Sequence, residues 1–222
     1  MTSRPGREQA LGPASPNARR AVFLDRDGTL IEEVGYLDRV DRVDLYPWSI
    51  DAVRALNRAG LRVVMVTNQS GVARGFFTEA VVDEIHRHIA ALLEAGGAYI
   101  DAYYYCPHHP DGKVAAYARA CDCRKPGRGL VDRAARDLRI DPVRSSVVGD
   151  RWLDVALARA VGARGVLVRT GYGGTEAAKP HDTLTADAVA DNLIGAAAWI
   201  LRDVRLPAPS VVEGEPDATG AS

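Results

Sequence analysis

The sequence predicts an α/β fold in which a doubly wound, mostly parallel sheet is covered by helices on both faces. Short runs of apolar, β-branched residues alternate along the chain with stretches that have the period of a helix, a pattern typical of strand–helix–strand units. Several of these runs are apolar on both faces, as expected for parallel strands buried between two helical layers. Ligands of such sheets bind beyond the carboxyl ends of the strands. The predicted strands are residues 21–24, 61–67, 99–105, 145–149 and 165–169.

The predicted helices carry apolar residues three and four positions apart. Ile50, Val53 and Leu56 share one face of a helix that ends at Gly60. Thr78 is the predicted N-cap of a longer helix, whose apolar stripe consists of Val82, Ile85, Ile89, Leu92 and Leu93. Further helices are predicted over residues 129–138, 152–161 and 190–204.

Length and composition predict one folded domain without a membrane span. The chain has 222 residues, 47% hydrophobic and 26% charged, which suits a single buried core system. We expect the folded domain over residues 21–205, with a disordered extension over 1–20 and a disordered tail over 206–222. The longest apolar stretch, residues 194–201, is far below the roughly 20 residues that span a bilayer.

Charge and the N-terminal sequence exclude several classes of partner. A net charge of −1 gives no basic excess for nucleic acid or an anionic membrane surface, so neither is an expected partner. The first 20 residues contain three prolines and no apolar core of a secretory signal. We therefore expect a cytoplasmic monomer that acts on a small molecule.

The first predicted strand ends in two carboxylates two residues apart, Asp25 and Asp27, followed by Gly28. A carboxylate at a strand end can attack phosphorus and form an acyl-phosphate. A second carboxyl nearby can protonate the leaving alcohol and later deprotonate a water molecule. The alternative is a polar turn, because Asp and Gly are common in turns.

Polar groups follow three more predicted strands. Hydroxyl and amide groups suited to phosphoryl oxygens come after the second strand, in Thr67, Asn68, Gln69 and Ser70. Arg124 and Lys125 precede a predicted helix, where a lysine can supply a compact charge to a phosphate. Asp150 and Asp154 follow the fourth strand at helical spacing, a carboxylate pair that suits Mg²⁺. Taken singly, the segment after the second strand is equally well explained as a polar turn, and Arg124 with Lys125 as a solvated surface pair.

Phosphoryl transfer explains why these groups belong together. Asp25 must approach a phosphate dianion, and the repulsion is about 1 kcal/mol per pair of unit charges at ~4 Å in water and larger in a pocket. Mg²⁺ bound by Asp25 and Asp150, with Lys125 opposite, offsets that repulsion. Asp27 must begin the reaction protonated, which neighbouring carboxylates favour.

Four short motifs follow one another along the chain: DRDGT, TN, K and GDxxxD. They resemble the four signature motifs of the haloacid dehalogenase-like phosphatases. The resemblance implies a Rossmann-like haloacid dehalogenase fold. It makes Asp25 the nucleophile, Asp27 the acid/base, Thr67 and Lys125 the groups that stabilise the phosphoryl group, and Asp150 a metal ligand. The backbone carbonyl of Asp27 is a further Mg²⁺ ligand in this family. Sheet and helix elements already occupy the intervals between the motifs, so we expect a capless enzyme.

All three cysteines lie in one segment, residues 106–126, which we call the cysteine loop. Cys106 and His108, and Cys121 and Cys123, are two pairs at i, i+2 spacing that project to one face of an extended chain. A closed set of three cysteines and one histidine predicts structural zinc. His109 is the alternative histidine ligand, on the opposite face. Disulfides are disfavoured by the odd count and the missing signal, and chance clustering is the remaining alternative.

The cysteine loop narrows the resemblance within the superfamily. The chain has 12 residues between His108 and Cys121, and it contains the segments VTNQSG, ARGxF, YYCPHHP and CDCRKP. In these features it resembles the D-glycero-D-manno-heptose 1,7-bisphosphate 7-phosphatases. Arg124 then recognises the substrate beyond the transferring phosphate, and the substrate site is lined by Glu33, Val34, Gly35, Tyr36, Thr67, Asn68, Gln69 and Ser70. The alternatives are a histidinol-phosphate phosphatase and a non-catalytic, zinc-stabilised binding module.

Overall fold

The computed structural model describes residues 18–205 except 180 and 182. Six parallel strands form one sheet in the order β3-β2-β1-β4-β5-β6. The strands are β1 (Ala21–Leu24), β2 (Arg62–Asn68), β3 (Ala102–Cys106), β4 (Ser146–Gly149), β5 (Arg164–Val168) and β6 (Ala188–Ala190). The predicted α/β fold with a parallel sheet is confirmed.

Helices cover both faces of the sheet. They are α1 (Ser49–Arg58), α2 (Gly71–Arg74), α3 (Glu79–Ala95), α4 (Gly129–Leu138), α5 (Trp152–Val161), α6 (Gly173–Ala178) and α7 (Leu193–Arg205). The apolar sides of α1, α3 and α7 pack on one face and those of α4 and α5 on the other. Between the strands, the described part of the chain holds these helices, two short 3₁₀ helices (Val40–Arg42 and Pro142–Arg144) and loops, of which the longest follow β1 and β3.

Strand β1 lies at the centre of the sheet because all four of its residues are apolar and buried. Side chains alternate along a strand, so Val22 and Leu24 enter the core under α1, α3 and α7, and Ala21 and Phe23 enter the core under α4 and α5. Its neighbours β2 and β4 run parallel to it. The residues that follow the carboxyl ends of these three strands therefore meet at one edge of the sheet.

Some elements differ from the predictions. Three short ones, α2, α6 and β6, were not predicted, and α7 begins at Leu193 rather than at residue 190. Strand β3 begins three residues later than expected, because the Asp101 side chain accepts a hydrogen bond from the backbone N–H of Val63 at 2.8 Å and pairs with Arg62. Thr78 does precede α3, but its side chain makes no capping hydrogen bond.

The predicted extension and tail lie largely outside the described residues, and the domain boundaries stay predictions. At the N-terminal end, the backbone N–H of Arg19 donates to Arg139 and its carbonyl accepts from Asp141, both at 2.9 Å. Among the described residues, no helix has the length and hydrophobicity that a bilayer span requires.

Candidate active site

A cleft of about 250 Å³ lies at the carboxyl ends of β1, β2 and β4. Polar side chains from four separate segments of the chain converge there. Its lining includes the predicted residues Asp25, Asp27, Glu33, Gly35, Tyr36, Thr67, Asn68, Gln69, Ser70, Arg124, Lys125 and Asp150. Val34, predicted to line the substrate site, instead packs against the core.

Asp25 and Lys125 form a buried ion pair at the base of this cleft. Lys125 Nζ lies 2.8 Å from Asp25 Oδ1 and 2.6 Å from Asp154 Oδ1, and the side chain of the lysine is 1% exposed. Burial works against a charged amine, but the carboxylates of Asp154 and Asp25 outweigh it and hold the pKa of Lys125 above its ordinary value. The lysine is therefore a fixed positive charge beside Asp25.

Asp150 is buried close to Asp25. Its Oδ2 atom accepts a hydrogen bond from the backbone N–H of Tyr172 at 2.8 Å. Gly28 and Gly171 lie so close that a Cβ atom on either would overlap this carboxylate. Both glycines also have positive φ angles, which glycine adopts without strain. Burial and the charge of Asp25 raise the pKa of Asp150 to about 8.

The carboxylates of Asp25, Asp150 and Asp154 suit a divalent cation. Their oxygen atoms lie within 4.8 Å of one another, and all three residues are buried. Lys125 offsets part of this negative charge through Asp25 and Asp154, and Asp150 makes no salt bridge within the described residues. Oxygen ligands on a negatively charged wall are the donor set that Mg²⁺ prefers.

Asp27 is surrounded by hydrogen-bond donors. Its two oxygens accept from the guanidinium of Arg26 at 2.8–3.1 Å. The Oδ2 atom also accepts from Gln69 Nε2 at 2.9 Å. The sequence analysis considered only carboxylates near Asp27 and gave Arg26 no role, so it did not predict these donors.

The segment after β2 positions its neighbours. Both ends of the Asn68 amide bond to the backbone of Lys125: Oδ1 accepts from its N–H at 2.9 Å and Nδ2 donates to its carbonyl at 3.2 Å. Gln69 Nε2 donates to the Thr67 hydroxyl at 2.9 Å. Ser70 lies at the beginning of α2. Asn68 therefore fixes the position of Lys125 in addition to lining the cleft.

The loop of Glu33 and Tyr36 forms one wall. Glu33 Oε1 accepts a hydrogen bond from the Gly35 N–H at 2.6 Å, and burial together with the charge of Asp27 raises the pKa of Glu33. Tyr36 is 44% exposed and packs edge-on against Phe76, with ring centroids 4.5 Å apart. The wall thus combines a carboxyl group with an exposed aromatic ring.

The cysteine loop brings together the four predicted zinc ligands, whose sulfur and nitrogen atoms lie within 4.8 Å of one another. The three sulfurs are 3.2–3.5 Å apart, too far for a disulfide. His108 Nδ1 lies 3.3 Å from Cys123 Sγ. The alternative ligand, His109, instead contacts Arg74 and the backbone of Asp111. Four N and S donors at these distances suit a closed tetrahedral site.

Comparisons with known proteins agree with this geometry. A HAD-hydrolase-like family model matches residues 122–196. A D-glycero-beta-D-manno-heptose-1,7-bisphosphate 7-phosphatase from Yersinia pestis is 44% identical over 153 residues, which cover 68% of this chain and 81% of that protein. A D-glycero-D-manno-heptose-1,7-bisphosphate 7-phosphatase from Thermosynechococcus vestitus is 43% identical over 188 residues, which cover 82% of this chain and 95% of that protein. The chain belongs to the family of heptose-1,7-bisphosphate 7-phosphatases.

A solved structure from this family has the same fold. The D,D-heptose 1,7-bisphosphate phosphatase from B. bronchiseptica, complexed with magnesium and phosphate, superposes with a TM-score of 0.74 at 32% identity. The match covers 83% of this chain and 99% of that one.

The sequence analysis gave no role to Arg151 and Tyr172, which line the cleft, or to the buried Arg26, which binds Asp27. Arg26 lies between the two aspartates. Arg151 lines the cleft with its guanidinium 4.7 Å from the centre of the Tyr172 ring. Arg26 carried a signal, since a charged residue inside a buried strand end requires a partner. Tyr172 and Arg151 carried none, because their approach depends on the folding of β4 and β5 side by side.

Proposed function

We propose that this phosphatase removes the 7-phosphate of D-glycero-D-manno-heptose 1,7-bisphosphate through an aspartyl-phosphate on Asp25. The observation that carries the proposal is the buried contact between Asp25 and Lys125 at the base of the cleft. It lies in a chain whose relatives are named for this reaction. A carboxylate held beside a fixed cation can approach a phosphate dianion and attack it.

The residues divide the reaction between them. Asp25 attacks phosphorus while Lys125 neutralises charge on the phosphoryl oxygens. Asp27, which lines the same cleft, protonates the sugar oxygen that leaves. It then takes a proton from the water molecule that hydrolyses the aspartyl-phosphate. Thr67 supports the phosphoryl group through its hydroxyl.

Mg²⁺ is the proposed catalytic cofactor, held by the side chains of Asp25 and Asp150 and by the backbone carbonyl of Asp27. The close grouping of buried carboxylates supports this assignment. When bound, the cation supplies positive charge to the phosphoryl oxygens. Asp154 has a different part, because it holds Lys125 at 2.6 Å.

Zn²⁺ is the proposed structural cofactor, held by Cys106, His108, Cys121 and Cys123. The loop that contains these residues leads directly into Arg124 and Lys125. Zinc would therefore act on catalysis through the position of the loop.

Two arginines in the cleft are proposed to distinguish a bisphosphate from a monophosphate substrate. Arg124 lines the cleft. Its Nη1 atom lies 3.5 Å from the backbone carbonyl oxygen of His108, so the cysteine loop contacts the Arg124 side chain. Arg151 lines the cleft from the beginning of α5. A guanidinium can bind phosphate oxygens in a forked manner, which suits the second phosphate of the substrate.

Initial rates on a substrate panel test the proposal. The panel contains both anomers of heptose 1,7-bisphosphate, fructose 1,6-bisphosphate and histidinol phosphate, each with Mg²⁺. We expect the highest kcat/KM with a heptose 1,7-bisphosphate. Preference for histidinol phosphate would assign the chain to the related activity, and binding without turnover of any substrate would indicate a non-catalytic binding module. Location in the cytoplasm and a monomeric state remain part of the proposal.

A further inference from the structure

Arg26 is a fully buried charged residue that the proposed reaction does not use. It lies between the proposed nucleophile Asp25 and the proposed acid/base Asp27, and it is 1% exposed. Burying a guanidinium costs free energy unless its charge and its donors are matched. The groups that match it therefore indicate what it does.

Its donors converge on one carboxylate. Arg26 Nε donates to Asp27 Oδ1 at 3.1 Å, and Nη2 donates to Oδ1 at 2.8 Å and to Oδ2 at 2.9 Å. Nη2 also donates to Gln69 Oε1 at 3.0 Å. The third nitrogen, Nη1, is buried and has no hydrogen-bond partner in the part of the chain that the structure describes. The guanidinium is thus directed at Asp27 and Gln69.

Gln69 extends this contact to the phosphoryl site. Its Nε2 atom donates to Asp27 Oδ2 and to the Thr67 hydroxyl, both at 2.9 Å. Asp27 and Thr67 both line the cleft. A continuous set of hydrogen bonds therefore runs from the buried Arg26 to two groups that would face the substrate.

We propose that Arg26 is a positioning residue, which orients the Asp27 carboxylate for proton exchange with the substrate. The proposal rests on the phosphatase function proposed above. Two nitrogens of the guanidinium and the amide nitrogen of Gln69 bind the carboxylate, while the Asp27 side chain keeps 17% exposure at the cleft. Asp27 is thereby prevented from rotating freely, and its open side stays toward the reacting group.

The role belongs to two defined proton transfers. In the first step, Asp25 forms a bond to phosphorus, the bond from phosphorus to the sugar oxygen breaks, and the proton of Asp27 passes to that oxygen. In the second step, water attacks phosphorus and gives a proton to Asp27, and the bond to Asp25 breaks to release inorganic phosphate. Misorientation of Asp27 slows both steps for a sugar ester. With p-nitrophenyl phosphate, the leaving group departs as an anion and the first step needs little acid.

The test compares these two substrates in rapid-mixing experiments on Arg26→Met. Formation of the aspartyl-phosphate from heptose 1,7-bisphosphate should slow by about 100-fold, the lower end of what acid–base groups contribute. With p-nitrophenyl phosphate, a burst of nitrophenolate should persist at a rate within about fivefold of the wild type, followed by slow turnover. Equal slowing of the first step on both substrates would overturn the proposal and leave Arg26 a purely structural ion pair.

A second variant guards against loss of the fold. Arg26→Lys keeps the positive charge but cannot make the forked contact. The slowing of its first step on the sugar ester, relative to p-nitrophenyl phosphate, should therefore fall between that of the wild type and that of Arg26→Met. A loss by Arg26→Lys that is equal on the two substrates would contradict a positioning role.

Matched controls separate this inference from the function it rests on. Arg62→Met removes another Arg–Asp pair, with Asp101, at the opposite end of β2 from the cleft, and should lower the melting temperature without selective loss on the sugar ester. Asp27→Asn should show the same substrate selectivity as Arg26→Met. Selectivity in Asp27→Asn but not in Arg26→Met would refute only the positioning role. Its absence from both variants would refute the acid/base role of Asp27 itself.

Discussion

Asp25 depends on two neighbours that come from distant parts of the chain. Lys125 bonds to it at 2.8 Å, and Asp154 holds the same amine at 2.6 Å. The one positive charge of Lys125 offsets part of the negative charge of these two buried carboxylates. In the proposed mechanism, the amine is therefore already beside Asp25 when a phosphate binds, and an arrangement of this kind lowers a phosphoryl-transfer barrier without reorganisation.

Replacement of the proposed nucleophile should separate chemistry from folding. Asp25→Asn should abolish phosphate release, since a neutral amide cannot form the acyl-phosphate. The fold should survive because Lys125 keeps its contact with Asp154. Phosphate release and circular dichroism on the same preparation measure the two properties, and more than a few per cent of residual activity in a pure variant would refute the nucleophile assignment.

Arg124 should distinguish bisphosphate from monophosphate substrates. In Arg124→Ala, kcat/KM for heptose 1,7-bisphosphate should fall more than kcat/KM for heptose 7-phosphate. The gap should be roughly 1.5–3 kcal/mol, the value of hydrogen bonds to charged groups. Arg133→Ala is the matched control, because Arg133 lies in a different groove beside β3. Equal losses on the two substrates would place Arg124 at the reacting phosphate or in loop structure alone.

The position of Lys125 in the cleft depends on how the two ends of the cysteine loop are held. The cysteine loop carries Lys125 from the end of β3 to the cleft, and it contains the four potential zinc ligands. The Asn68 side chain fixes the other end of this path by bonding to the Lys125 backbone. With zinc bound at that cluster, a long loop without regular structure would be fixed at both ends, which would lower the entropy that substrate binding otherwise has to offset.

Loss of a zinc ligand should impair stability and activity together. The purified protein should carry one Zn²⁺ per chain at the four-residue cluster. Cys121→Ser should lose the metal, lower the melting temperature and reduce kcat, because the loop that carries Lys125 is released. His109→Ala, next to a ligand but outside the cluster, should keep the zinc. Elemental analysis that finds no zinc in gently purified, reduced wild-type protein would contradict this prediction.

The elements show what sequence patterns can predict. The four apolar residues of β1 gave its bounds correctly, and the pairs at i, i+2 spacing correctly grouped the cysteines with His108. Strand β6 was missed because its three residues have no long apolar run, and pairing with β5 alone defines it. The contacts of Arg26 with Gln69 were missed for the same reason, since residues 43 positions apart meet only after β1 and β2 are paired.

At the scale of the whole molecule, two apolar layers enclose the sheet and also bury polar groups. His86 of α3 is 5% exposed and stacks on Tyr103 with ring centroids 5.1 Å apart. Its Nε2 atom has no hydrogen-bond partner among the described residues. Burial, together with the nearby charge of Arg26, lowers the pKa of His86 to about 3. The folded protein therefore keeps this imidazole neutral.

The buried histidine should make stability depend on pH. The ordinary pKa of a histidine is 6.5. Below that pH the unfolded chain binds a proton at His86 and the folded protein does not, so the free energy of unfolding falls as the pH falls toward 3. This group contributes at most about 1.4 kcal/mol per pH unit. Urea unfolding of His86→Gln between pH 6.5 and 4.5 should show a shallower loss than the wild type. Parallel curves would refute the prediction.

The position of the bond that breaks tests the central claim most directly. D-glycero-D-manno-heptose 1,7-bisphosphate is incubated with the wild-type protein and Mg²⁺, and the product is identified by ³¹P NMR with proton coupling, which distinguishes a phosphate on C1 from one on C7. We expect inorganic phosphate and heptose 1-phosphate in equal amounts. Accumulation of heptose 7-phosphate, or no phosphate release at all, would contradict the account.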